Sequence, residues 1–208
     1  MGRPSRHVEA SILESAKQLS AEVGPHKLTI AAVAARTGAP VGSIYHRYAS
    51  RDEILATVWL ELVEAFQEQF LAALAGDDPV AAGLAAVRFT CDWVRRHPRE
   101  ARLMLVHRRE DFAAERWSKS HRRRAQVLTA QAHESLRRYA SRLRGRSGPA
   151  QLRSVRFALV DLPTAALKPD LESGIPLPKQ TEALLLDTCA YALRQITGGR
   201  RRVKSGRV

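Results

Sequence analysis

The chain has 208 residues, 45% of them hydrophobic and 26% charged, with a formal net charge of +13. These proportions are those of a soluble globular protein of one or two domains, long enough to bury a core. No apolar run approaches the ~18 residues of a membrane span, and the start lacks the apolar segment of a signal peptide, so a cytoplasmic protein is expected.

The surplus of positive charge draws polyanions, nucleic acid being the commonest. A general arginine bias accounts for the same number, and charge alone leaves both readings open. Cys91 and Cys189 form no CxxC pair and no metal-ligand spacing, so no metal, cofactor or disulfide framework is expected. Both sit in apolar helical contexts, which predicts buried free thiols.

Apolar residues recur at helical spacing through most of the chain. Val8, Ile12, Ala16 and Leu19 form one stripe, and Gly24-Pro25 stops that helix. Thr29 offers an oxygen to cap a second short helix with Ile30, Val33 and Ala34 inward, broken by Gly38. A third short helix is predicted from about Pro40 to Arg47, proline being tolerated where its missing N–H would have no partner. Ser50-Arg51-Asp52-Glu53 then reads as a capping box, opening a long helix with Leu55, Val58, Trp59, Leu62, Val63, Phe66 and Phe70 on one stripe.

Gly76 to Pro79 marks a boundary. Helices are predicted over about 79–97, 99–107 and 112–143, the last rich in arginine, with a loop at 145–149. Leu152, Val155, Leu159 and Leu162 repeat at spacings of three or four, a seam suited to a partner helix, and Pro163 should kink it. Residues 170–179 read as a connection. A last helix carries Leu185, Leu186, Cys189, Leu193 and Ile196, followed by a basic tail whose composition predicts disorder.

Two short helices joined by a tight glycine turn, followed by a strongly capped helix, make a helix-turn-helix. Ala31, Ala34 and Ala35 let the helices approach, Gly38 supplies the positive φ of the turn, and Gly42 leaves room for backbone close to a duplex. On the third helix Ile44 and Tyr48 are spaced to face inward. Val41, Ser43, Tyr45, His46 and Arg47 face out or flank. Val41 can meet a thymine methyl, polar groups can read base edges, and Tyr45 and Arg47 can hold phosphates.

These residues resemble the DNA-binding domain of the tetracycline-repressor (TetR) family. The likeness runs through Thr29, Ile30 or Val33, Gly38, Gly42 and Tyr45, with conservative matches at Ile44, Tyr48 and Arg51, and covers roughly residues 3–60. Gly2-Arg3-Pro4 is similar to the basic arm of that family. Ala39-Pro40 stands where the family has valine-serine, and Arg47 where it has histidine, so a serine-type phosphate contact at position 40 is lost while Arg47 keeps a charge. The resemblance implies Thr29, Tyr45, Arg47 and Arg51 at phosphates, Val41, Ser43 and His46 in the major groove with Gly42 at close approach, and Arg3 and Arg6 on the backbone or in the adjacent minor groove.

It further implies a homodimer on a palindromic double-stranded DNA operator, released by a small-molecule effector. Leu152, Val155, Leu159, Leu162, Leu186 and Leu193 are the candidate dimer contacts, with packing inside one chain as the alternative. Phe89, Trp93, Met104, His107, Phe112 and Trp117 are candidates for an effector pocket, with plain core as the alternative. The consecutive Arg122, Arg123 and Arg124 must splay around a helix, which favours a solvated face over an anion site.

The expected fold is all-α. A three-helix helix-turn-helix domain occupies 1–52, a helical regulatory and dimerisation domain 53–197, and the basic tail 198–208. No nucleophile elbow, P-loop or HExxH pattern points to an enzyme. The rival reading is a basic protein that coats nucleic acid without sequence preference.

Overall fold

In the computed structural model the described residues are 3–145 and 148–198, with side chains from Val8 onward; the expected tail beyond Gly198 lies outside them. Every regular element among them is helical. The order is α1 (Arg3–Val23), α2 (Ile30–Thr37), α3 (Val41–Tyr45), α4 (Arg51–Ala73), α5 (Pro79–Arg96), α6 (Pro98–Leu105), α7 (Lys119–Arg144), α8 (Pro149–Arg156), α9 (Leu162–Ser173) and α10 (Lys179–Gly198). Among the described residues no helix is long and apolar enough to cross a membrane.

The chain forms two compact units. Of the described residues, the first takes in those up to Gln67 together with Arg96–Ala130. The second comprises Glu68–Arg95 and the described residues from Gln131 onward. In the first, Ile12 and Ala16 of α1, Leu28, Val33 of α2, Ile44 of α3 and Leu55 and Val58 of α4 pack in one cluster with Leu103, Phe112, Trp117 and Leu128. The helix-turn-helix therefore shares its core with residues far along the chain. Burial of such side chains contributes about 1.5–3 kcal/mol each, so these residues are a substantial part of what holds α3 in place.

The long arginine-rich helix starts later than its sequence suggests. Two 3-10 turns, Arg109–Phe112 and Ala114–Arg116, precede α7. Asp111 accepts the Arg108 N–H (2.9 Å), Ala113 adopts a left-handed φ of 57°, and the Trp117 indole donates to the Phe112 carbonyl at 2.7 Å. Phe112 and Trp117 are buried, Trp117 with its ring centroid 5.3 Å from that of Trp59. Their apolar surface anchors this segment to the core, which outweighs its helical spacing.

In the second unit α5 is approached closely at Gly83. A Cβ there would lie 2.2 Å from the Tyr139 hydroxyl and 2.8 Å from Leu193. That hydroxyl donates to the Pro79 carbonyl at 2.7 Å, tying α7 to the start of α5.

The irregularity expected at Pro163 takes the form of a π turn over Phe157–Asp161. The Leu162 N–H bonds the Phe157 carbonyl, and in that register the next bond would run from residue 163 to Ala158. Proline has no N–H to give. The Cys189 thiol donates to the Ala158 carbonyl instead, at 3.2 Å. α9 then continues to Ser173, four residues into the expected connection. Gly174 ends it at φ 67°, and the Ile175 N–H caps the Asp170 carbonyl at 2.9 Å.

Both cysteines are buried free thiols, Cys91 pushed up to about 12 and Cys189 to about 11 by burial.

Candidate nucleic-acid interface

The geometry around α3 is built from local capping. Thr29, extended at φ −129°, accepts the Ala32 N–H on its hydroxyl at 3.1 Å and starts α2. Its own proton remains available to a second acceptor. Gly38 ends α2 in the left-handed region, φ 69°. The Thr37 hydroxyl donates to the Val33 carbonyl (2.8 Å) and accepts the Ala39 N–H (3.2 Å), which steadies the turn. The sequence reading passed over Thr37, because a threonine near a helix end also fits a solvated position.

Pro40 precedes α3 and provides no side-chain cap. The helix spans Val41–Tyr45, shorter than the predicted 40–47, with His46 and Arg47 in the turn that follows. Capping then sets α4: Ser50 accepts the Glu53 N–H at 3.2 Å, and the Glu53 carboxylate reaches back to the Ala49 N–H at 2.7 Å.

Ile44 and Tyr48 face inward, with relative exposures of 0% and 5%. Burial drives the Tyr48 phenol pKa upward, with the Glu9 carboxylate adding to it. On the opposite side Val41 and Tyr45 are 44% and 52% exposed, and His46 also faces solvent. Nothing lies within 4 Å of a Cβ built on Gly42. Ser43 and Arg47 are tied together, Arg47 Nη1 donating to both the carbonyl and the hydroxyl of Ser43 at 2.9 Å. Arg51 donates through Nε to Asp52 (3.2 Å) and through Nη1 to the His26 carbonyl (3.1 Å). The side chains of Arg3 and Arg6 lie outside the described residues.

α2 is braced against α1 by a two-pronged ion pair, Arg36 Nη1 and Nη2 to the Glu22 carboxylate at 2.9 and 2.7 Å. Contact with Arg36 holds the Glu22 carboxyl below its ordinary value. Arg36 and Glu22 lie fourteen positions apart, a pairing that only the fold produces.

The six pocket candidates are not gathered in one unit. Phe89 and Trp93 belong to the second unit, and Met104, His107, Phe112 and Trp117 to the first. Phe112 and Trp117 are spent on the core cluster. The His107 ring lies beside Asp111, Nδ1 to Oδ2 3.4 Å, and its pKa is lowered, burial outweighing the carboxylate. A surface cavity of about 500 Å³ in the second unit is lined instead by Leu71, Leu74, Ser135, Arg138 and Arg142, with none of the six.

Of the candidate dimer contacts, Val155, Leu159 and Leu193 are buried within the chain itself, at 0%, 1% and 0% exposure. Leu152, Leu162 and Leu186 are half-buried. Intrachain packing thus takes three of the six, as a stripe at helical spacing serves either purpose. The large apolar side chains left in solvent on these elements are Phe157, Leu184 and Tyr191, at 54%, 68% and 66%. The arginine run is dispersed: Arg124 pairs with Glu64, Arg137 and Arg138 with Glu134, and Arg116 with Asp52. No group of three potential metal ligands converges among the described residues.

A short helix presented outward after a glycine turn, clamped by inward Ile44 and Tyr48, defines a helix-turn-helix domain joined to further helices. Residues 12–58 match the sequence model of bacterial regulatory proteins of the tetR family. Residues 12–58 thus resemble the DNA-binding domain of that family, and the described remainder of the chain is helical. No curated protein matches the chain in sequence.

Among solved structures it is similar to a TetR-family transcriptional regulator from Streptomyces coelicolor, with 13% identity, TM-score 0.70, and coverage of 91% of this chain and 96% of that one. PfmR from Thermus thermophilus, also of that family, is 22% identical with TM-score 0.64 over 92% and 99% of the two chains. FadR from Bacillus subtilis, solved with stearoyl-CoA, is 13% identical with TM-score 0.67 over 93% and 100%.

Proposed function

We propose that the chain is a cytoplasmic, homodimeric repressor that reads a palindromic operator with α3 and leaves it when a small molecule binds. The observation that carries this reading is the two-sidedness of residues 41–48. Ile44 and Tyr48 are locked into the core while Val41, Gly42, Tyr45 and His46 stand in solvent. In this reading Val41 and His46 meet base edges, and Tyr45, Thr29, Arg47 and Arg51 meet phosphates. Ser43 serves chiefly to hold Arg47. Arg3 and Arg6 are assigned to the arm by sequence alone. Residues 1–52 form the reading domain and 53–197 the regulatory one.

Dimerisation supports the palindrome, because a two-fold axis sets two recognition helices one helical turn of DNA apart, about 34–36 Å. The contact face we assign is Leu184 and Tyr191, seven positions apart on one side of α10, with Phe157 of the adjoining π turn. A small-molecule effector is supported by the likeness to FadR with its bound stearoyl-CoA. Such an effector releases DNA only through differential affinity for the two states of the dimer.

The test is selection of duplexes from a randomised library by the intact chain, followed by footprinting in competitor DNA at physiological salt. A protected palindrome supports the reading. Binding that competitor DNA abolishes at every selected sequence instead makes the chain a nonspecific nucleic-acid coat.

A further inference from the structure

We propose that Arg116 is a positioning residue for DNA binding, acting through Asp52 on the guanidinium of Arg51. The inference rests on Arg51 being a phosphate contact, as assigned above.

Asp52 sits between two guanidiniums. Its Oδ1 accepts Arg51 Nε at 3.2 Å, and its Oδ2 lies 3.0 Å from Arg116 Nε. Asp52 and a DNA phosphate compete for the same cation, Arg51. Charge that Asp52 shares with Arg116 is not available to neutralise Arg51. With Arg116 present the three groups carry a net positive charge; without it Arg51 and Asp52 form a neutral pair, and the attraction for phosphate falls.

The backbone around Arg116 is fixed by the core that also holds α3. Phe112 and Trp117 on either side are buried at 0% and 3%, and Trp117 Nε1 bonds the Phe112 carbonyl at 2.7 Å. Ala113 sets the direction of the intervening turn with its φ of 57°. The guanidinium itself is in solvent, 61% exposed, with Glu115 Oε1 at 3.7 Å as its other carboxylate neighbour. Asp52 is the more enclosed partner at 21%, and the closer.

A second tie joins the same segment to Arg51. The His26 carbonyl that receives Arg51 Nη1 belongs to a residue whose ring nitrogen lies 3.8 Å from Asp111 Oδ1. Residues 107–117 thus touch both groups that orient Arg51. Sequence reasoning had no route to this, because Arg116 looks like any other arginine of a basic stretch.

The experiment is a double-mutant cycle on operator affinity, with the duplex the wild-type chain selects from a randomised library as probe. R116Q is expected to weaken binding by roughly 1.5-fold to fivefold at low salt, the range of an exposed ion pair expressed as affinity. R116K should restore most of it. In an R51Q or D52N background R116Q should have no further effect, since its route to DNA is gone. Thermal unfolding checks that each variant is folded, and removal of a largely exposed guanidinium should leave the midpoint nearly unchanged.

If R116Q costs as much in R51Q as in the wild type, Arg116 touches DNA itself or acts on the fold, and the proposal fails. It fails equally if R116Q binds as tightly as wild type. A wild-type chain that selects no duplex sinks the DNA reading and this proposal together. Selection without coupling sinks this proposal alone.

Discussion

Tyr45 and Tyr48 lie three positions apart on α3 and the turn after it, and their surroundings separate their roles. Tyr48 is 5% exposed and packed in the core; Tyr45 is 52% exposed and spared that duty. Tyr45→Ala should therefore weaken operator binding by roughly 1–3 kcal/mol while leaving the unfolding midpoint in place. A gel-shift titration beside a thermal melt checks both halves. The histidines make a different prediction. His107 and His121 both have pKa values lowered from the ordinary 6.5, burial being the largest cause in each. A lowered histidine pKa means that the unfolded chain binds more protons, so stability is lost as pH falls through 6.5 and the loss ends below the folded values. Glu61, raised by burial, works the other way nearer its own range. Urea unfolding from neutral pH down to about 5.5 should show the decline. Replacing both histidines by glutamine should flatten it; an unchanged slope would place its origin elsewhere.

At the scale of elements, the short helices depend on caps and the long ones on close packing. α5 can lie against Tyr139 and Leu193 only because residue 83 has no side chain. Gly83→Ala gains helix propensity of about 1 kcal/mol but drives a methyl into a hydroxyl already bonded to the Pro79 carbonyl. Overpacking costs about 1–3 kcal/mol, so the net expectation is a less stable chain, read as a lower urea midpoint at unchanged slope. A stabilised variant would mean that Tyr139 yields freely. Much of the element pattern was legible in advance: the Thr29 cap, the Gly38 turn and the Ser50 capping box each rest on contacts between near neighbours. The start of α7 was not. Helical spacing begins at Phe112, and only the burial of Phe112 and Trp117 against a core assembled from distant residues turns the segment 109–116 into two tight turns.

For the molecule as a whole, the exposed Leu184 and Tyr191 are the natural place to test assembly. Leu184→Glu with Tyr191→Glu should leave the monomer folded, since both side chains are already in solvent, and shift sedimentation from dimer to monomer. Operator affinity should drop steeply, because each head then binds its half-site alone. A dimer that survives both substitutions would move the interface to another face. The two compact units give this test a clear reading, as Leu184 and Tyr191 lie in the second unit and the helix-turn-helix in the first.

Sequence by itself determined the helix-turn-helix, the side of α3 that faces the core, and the all-helical character of the chain. These follow from period, caps and a glycine at positive φ, and such interactions span only a few residues. The tertiary structure alone decided which apolar stripes are used up inside one chain, and which arginines are paired. Burial of Val155, Leu159 and Leu193, and the sharing of Asp52 between Arg51 and Arg116, depend on surfaces meeting across long stretches of chain. Periodicity marks a face as apolar but does not name what covers it.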